Sequence, residues 1–216
     1  MPPSVTPAPR VRRSSADGTR ERILTAALDL FSEVSFDGAR TRDIATRADV
    51  TQGLLNYHFS SKEELWRAAV DNLFSQLNEA LDSRVAGLRG VDELTTAKLL
   101  IREFIHFSAT HPQLHRLITQ ECKHDGPRMD WLVERHVRPR YETATAMFTQ
   151  LVEAGHVPDI PVEHLYYILT GAASTMFVLA PECRRLSGID PLTDEVAAVH
   201  ADAVVALLFG AQRKEA

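Results

Sequence analysis

The sequence predicts an all-α protein on three observations. Apolar residues recur at helical spacing from Ile23 almost to the C-terminus, and no segment alternates apolar and polar residues as a strand would. Prolines and glycines fall where helices begin and end. No internal repeat interrupts this pattern.

Residues 1 to 16 hold four of the 11 prolines and almost nothing to bury, so they are expected to form a disordered, solvated arm. Ile23, Ala26, Ala27, Leu30 and Phe31 then make one buried stripe, with Asp17 or Thr19 as N-cap and an end near Val34. Ser35 to Gly38 supply a turn. Thr41 is placed to cap a short helix that turns Ile44, Ala45 and Ala48 inward, and Asp49-Val50-Thr51 breaks it. Thr51 caps a third helix through Leu55, and Ser60 or Ser61 caps a long fourth one whose stripe is Leu65, Trp66, Ala69, Leu73, Leu77 and Leu81. Five more helices are expected at about 92–110, 112–123, 129–154, 161–180 and 193–209, about nine in total. Pro139 should kink or divide the third of these five.

Composition narrows the class. With 216 residues, 44% of them hydrophobic and 25% charged, the chain can bury a core and is neither disordered throughout nor collagen-like. Two cysteines, Cys122 and Cys183, cannot build a zinc ribbon and suit a reducing compartment. The first ten residues lack the apolar run of a secretory signal. The longest uncharged stretch, 165–181, falls short of the ~20 residues that span a bilayer, so the expected location is the cytoplasm, with no membrane partner. The net charge of −5 is unevenly spread: residues 1–70 carry +1 and residues 71–216 carry −6, with Arg10, Arg12, Arg13, Arg20 and Arg22 giving a local excess near the start.

The short helices 41–48 and 52–58, joined by a tight turn, make a helix-turn-helix whose second helix can lie in a DNA major groove. With Leu55 and Phe59 turned to the core, Thr51, Gln52, Gly53 and Asn56 lie on the opposite face. Gly53 costs ~1 kcal/mol within a helix relative to Ala, which makes sense where a side chain would strike DNA or a neighbouring helix. The stretch from Thr19 to about Val70, with Ile23 to Phe31, Asp43-Ile44-Ala45 and Tyr57-His58-Phe59-Ser60-Ser61-Lys62-Glu63, resembles the DNA-binding domain of the TetR family of transcriptional regulators.

That resemblance implies residue roles. Thr41 and Arg42 match positions that touch phosphates or base edges, Thr51 and Gln52 open the recognition helix, and Tyr57 and His58 match backbone-contacting positions. Lys62 matches the family lysine that meets a phosphate, as suits a cation at a helix N-terminus. Three residues depart from the pattern. Asp49 stands where glycine is usual in the turn, Asn56 where tyrosine is commoner and where its amide could pair with adenine, and Arg40 where a small hydroxyl residue is usual. The implied organisation is an arm at 1–16, a helix-turn-helix domain at 17–62 and a ligand-binding and dimerisation domain at 63–216.

In that larger domain, the helices at 161–180 and 193–209 are too apolar to stay exposed. Leu165, Leu169, Ala172, Met176, Val199, Ala203 and Leu207 are expected at a homodimer interface that sets two recognition helices about 34 Å apart on a palindromic operator. Phe104, Phe107, His115, Trp131, His136, Tyr141, Met147 and Tyr166 are candidate linings of a small-molecule pocket. By the resemblance, an effector there would shift helix four and release DNA, most often relieving repression. His111, His115, Glu121, Cys122 and His124 lie close in sequence, but His111 precedes Pro112 and should sit outside the helix holding His115, so no pair has the i, i+4 helical geometry of a strong metal site and no metal or other cofactor is expected. No catalytic motif of the common nucleotide, zinc or serine-hydrolase types occurs, so no catalytic residue is assigned. The competing class is a helical adaptor that keeps the helix-turn-helix scaffold and binds protein.

Overall fold

The computed structural model describes residues 15–88, 90–123 and 125–210, so residues 1–14 of the expected arm, with Arg10, Arg12 and Arg13, lie outside the described residues, as does His124. Among the described residues the regular structure is all helix, with no strand. They form α1 (Ser15–Gly38), α2 (Thr41–Arg47), α3 (Gln52–His58), α4 (Lys62–Ala86), α5 (Glu93–Thr110), α6 (Gln113–Glu121), α7 (Pro127–Leu132), α8 (Arg138–Glu153), α9 (Val162–Val178), α10 (Ala180–Ser187) and α11 (Asp194–Phe209). The chain divides into two compact units, up to Ala69 and from Val70. The sequence reading put the division at 62/63. The first two turns of α4 belong with the first unit because Leu65, Trp66 and Ala69 are buried there, with Trp66 edge-on to Phe36.

In the first unit, Ile23, Ala27 and Phe31 of α1, Ile44 and Ala45 of α2, Leu55 of α3, and Leu65 and Trp66 of α4 are buried. Each large side chain removed from water contributes ~1.5–3 kcal/mol. Ser35 breaks α1 with φ 64° and ψ 173°, so the regular helix ends at Val34. Thr41 does not cap α2: the N-cap is Arg40, without a side-chain cap bond, and Thr41 is the first helical residue. Thr51 does cap α3, accepting from Leu54 N at 3.2 Å. Ser61 caps α4, accepting from Glu64 N at 3.0 Å, while the Glu64 carboxylate accepts from Ser60 N, one residue before the cap, at 2.8 Å.

The core of the second unit is built from α5, α8, α9 and α11. Ile101 and Ile105 meet Phe148 and Leu151, Leu165, Leu169, Ala173 and Phe177, and Ala201, Val204 and Leu208. His200 of α11 hydrogen-bonds to Ala172 O of α9 at 2.7 Å. Pro139 falls within the continuous helical run 127–153. Lacking an N–H and clashing with the carbonyl four residues back, it follows a π turn at Val133–Val137 that joins α7 to α8, and Arg138 N bonds to Val133 O. α8 ends in a Schellman motif, with Gly155 at φ 71°, His156 N bonded to Leu151 O at 2.8 Å and Gly155 N to Val152 O at 2.9 Å.

With 127–153 counted as one continuous run, the described residues hold ten helices against the nine expected. The additional one is α10. It begins where the helix expected at 161–180 ends, with Pro181 in its first turn, and Gly188 at φ 74° closes it.

Candidate nucleic-acid interface and ligand cleft

The turn between α2 and α3 is itself a Schellman motif. Val50 N bonds to Ala45 O at 3.0 Å and Asp49 N to Thr46 O at 3.1 Å, with Asp49 left-handed at φ 53°. Arg22 Nε donates to Ala48 O at 3.3 Å and so ties α1 to this turn. The turn fixes the angle at which α3 leaves α2, with Leu55 buried and Gly53, Asn56 and Tyr57 exposed, Tyr57 by 82%.

The polar residues of that face are organised rather than loose. Gln52 Nε2 donates to Thr41 Oγ1 at 3.3 Å and to Asn56 Oδ1 at 3.0 Å, while Gln52 Oε1 is buried without a partner. Asn56, Thr41, Arg40 and Lys62 line one hollow beside α3. Lys62 donates from Nζ to Ala39 O at 2.9 Å and sits 4.4 Å from the Phe36 ring centroid, so it pins the start of α4 to the loop before α2. An ammonium has three protons, so two remain for an anion.

Arg47 is taken up by Glu33 in a two-bond pair at 3.0 and 2.9 Å. Arg40 and Arg42 are exposed and, among the described residues, unpaired. Arg40 is thus a phosphate candidate that the sequence reading treated only as a departure from pattern; its place two residues before Arg42 was the available signal. His58 is half-buried, between the Tyr57 and Phe59 rings. A Cβ built on Gly53 meets nothing nearer than Thr51 Oγ1 at 4.0 Å, so no neighbouring helix requires that glycine.

The second unit contains a cleft of about 400 Å³. Of the eight candidate pocket residues, Phe104, Met147 and Tyr166 line it and the other five sit elsewhere. Phe107 is buried and stacks on His111, and Tyr141 stands edge-on behind Tyr166 at 5.0 Å. His136 stacks on Phe74 and bonds to Asp71 at 2.8 Å, with Trp131 edge-on to it. His115 bonds to Ser108 Oγ at 3.3 Å and lies against Phe104, behind the cleft wall. Burial brings the His115 pKa down to about 4. Arg140 and Asp82, the charged residues of the lining, were not anticipated. The usable signal for Arg140 was its spacing from Ala144 and Met147 at i+4 and i+7, a charge within an apolar stripe.

Leu165 and Leu169, expected at a dimer interface, are instead core residues at 2% and 6% exposure. With Ala173 and Phe177 they form the i, i+4, i+8, i+12 stripe that α9 turns inward. Ala172 and Met176 are half-buried. Val199, Ala203 and Leu207, each four residues from the next, form an exposed stripe on α11, and Tyr167 and Ile168 are exposed on α9. No described helix is long and apolar enough to cross a membrane.

Residues 23–69 match the family model described as bacterial regulatory proteins, tetR family. The chain is 29% identical over 189 residues to the HTH-type transcriptional regulator RutR of Escherichia coli K12, covering 86% of this chain and 85% of RutR. It is 28% identical over 168 residues to the HTH-type transcriptional repressor NicS of Pseudomonas putida, covering 74% of this chain and 76% of NicS. Its fold matches that of AibR in complex with isovaleryl coenzyme A and operator DNA, with a TM-score of 0.70, 17% identity, and coverage of 89% of this chain and 98% of AibR. The three-helix unit and the turn that sets α3 agree with the family match, and the first unit is a helix-turn-helix domain similar to those of the TetR family of bacterial regulatory proteins.

Proposed function

We propose that this protein is a ligand-responsive transcriptional repressor, not an enzyme, that binds a palindromic operator as a homodimer in the cytoplasm and is released by a small molecule. The observation that carries this reading is α3 itself. It is capped and held by a Schellman turn, yet it leaves Gly53, Asn56 and Tyr57 exposed, with Gln52 bonded to Asn56 and the unpaired Arg40 and Arg42 nearby.

The relatives named as HTH-type regulators and repressors support the reading, and AibR, crystallised with an acyl coenzyme A and operator DNA, supports an effector acting on such a fold. In this chain α4 contributes Lys62 and Leu65 to the DNA-binding unit and Asn78, Leu81 and Asp82 to the cleft lining. A ligand in the cleft therefore touches the helix whose N-terminus anchors the domain proposed to hold DNA. Thermodynamic linkage requires that the ligand prefer the released state and that DNA weaken ligand binding by the same factor.

Selection from random duplex DNA, followed by titration of the enriched sequence at two salt concentrations, tests this function. The expected outcome is a palindrome with an affinity that falls steeply with salt. No enriched sequence would favour a helix-turn-helix scaffold turned to protein binding.

A further inference from the structure

Within the α7–π–α8 run, three arginines have carboxylate partners: Arg128 pairs with Glu121, Arg135 with Asp71 and Arg138 with Glu134. Arg140 does not. It lines the cleft half-buried, bonded to Asn78 Oδ1, with its guanidinium 5.7 Å from the Phe74 ring centroid and no carboxylate within ion-pairing distance among the described residues. A guanidinium carries five N–H donors, and one neutral acceptor leaves most of them without a partner in a mainly apolar wall.

The neighbouring donor is Tyr166, whose hydroxyl makes no hydrogen bond among the described residues. Thr143 and Thr170 give their hydroxyl protons to Pro139 O and Tyr166 O along their own helices. Desolvation lowers the Arg140 pKa and raises that of Tyr166, so the surroundings favour an added anion beside the first and keep the second a neutral donor.

We propose that this cleft takes a monoanionic apolar acid, its carboxylate gripped by Arg140 and Tyr166 and its hydrocarbon laid against Leu81, Ile101, Phe104 and Met147. The assignment rests on the ligand-responsive reading above and names the effector class. A planar guanidinium matches a carboxylate in two parallel bonds. A polyphosphorylated ligand would need several cations, whereas Arg140 is the one cation of the lining and Asp82 adds an opposing charge. The volume of about 400 Å³ is at the small end of ligand sites.

Calorimetric titration of the full chain with octanoate, phenylacetate, octanol and octanoyl coenzyme A tests the assignment. At least one of the two acids should bind. Octanol should bind more weakly than octanoate by about ten- to a hundredfold, the value of a charge-assisted hydrogen bond, and Arg140→Gln should lose the same factor for the acid but not for the alcohol. Tyr166→Phe, which keeps the ring, should lose several-fold and serves as the independent variant if Arg140→Gln loses helicity. Equal binding of octanol, undiminished acid binding by Arg140→Gln, tighter binding of the coenzyme A thioester, or no acid bound at millimolar concentration would each overturn it. Acid binding that leaves operator affinity unchanged would refute the release mechanism while the acid site stands.

Discussion

The side-chain amide of Gln52, the first residue of α3, donates to the hydroxyl of Thr41, the first residue of α2, at 3.3 Å. Its second proton goes to Asn56 Oδ1. Both donors are thereby used inside the protein, where they link Asn56 to the start of α2. Asn56 is left with both Nδ2 protons and one Oδ1 lone pair facing out, the set that pairs bidentately with the N7 and N6 edge of adenine.

Gly53 separates stability from function. Because its missing Cβ would meet only open space within the chain, Gly53→Ala should stabilise the protein by ~0.5–1 kcal/mol. If the space is reserved for DNA, the same variant should bind operator more weakly. Thermal melts and operator titrations on one preparation check both; a gain in stability with unchanged affinity would leave the glycine without a role.

Two non-glycine residues hold positive φ in the described structure, Ser35 at 64° and Asp49 at 53°. Ser35, with ψ 173°, occupies a region nearly confined to glycine, at a cost of order 1–3 kcal/mol. Ser35→Gly should raise the melting temperature by about 2–4 °C, and Asp49→Gly by less, because Asp tolerates the left-handed helical region better. A drop on Ser35→Gly would show that its side chain contributes more than the backbone strain removes.

Much of the DNA-binding unit was legible in the sequence, since helical stripes and caps are local features. Thr51 and Ser61 cap where hydroxyls were expected, and the Leu65, Trp66, Ala69, Leu73, Leu77 stripe of α4 is buried. What failed was directional. α9 is apolar nearly all round, so its sequence does not say which stripe faces the core, and Leu165 and Leu169 turned inward while Tyr167 and Ile168 turned out. The cleft is legible only in part, through Phe104, Met147 and Tyr166, for a related reason: aromatic residues mark cores as readily as pockets. His115, His136 and Trp131 found partners within the second unit, and the charged member Arg140 was passed over.

His115 should make stability fall with acidity. Its folded pKa of about 4 lies below its ordinary 6.5, so the unfolded chain takes up the proton first, and stability falls as pH drops from about 6.5 towards 4. The limiting loss is on the order of 3 kcal/mol at 1.36 kcal/mol per pKa unit. His111 and His136, also lowered by burial, act in the same direction. Denaturant melts of His115→Gln across that window should show a flatter slope; an unchanged slope would place the dependence elsewhere.

The exposed stripe of Val199, Ala203 and Leu207 supplies a test of the homodimer. Leu207 is 73% exposed, so Leu207→Glu should leave the fold intact. If the stripe is the interface, each large side chain buried there contributes ~1.5–3 kcal/mol, and the charge should shift sedimentation towards monomer and weaken palindrome binding. A dimer that survives Leu207→Glu together with Val199→Glu would exclude this stripe.

The most direct measurement compares wild type with Asn56→Ala on the selected operator, on operators altered one base pair at a time, and on unrelated duplex, at fixed salt. Reading of sequence by α3 predicts that Asn56→Ala loses ~1–3 kcal/mol on the selected operator, almost nothing on unrelated duplex, and nothing further where one adenine pair per half-site has been replaced. Equal loss on every duplex, or no loss on any, would contradict the claim that Asn56 reads a base.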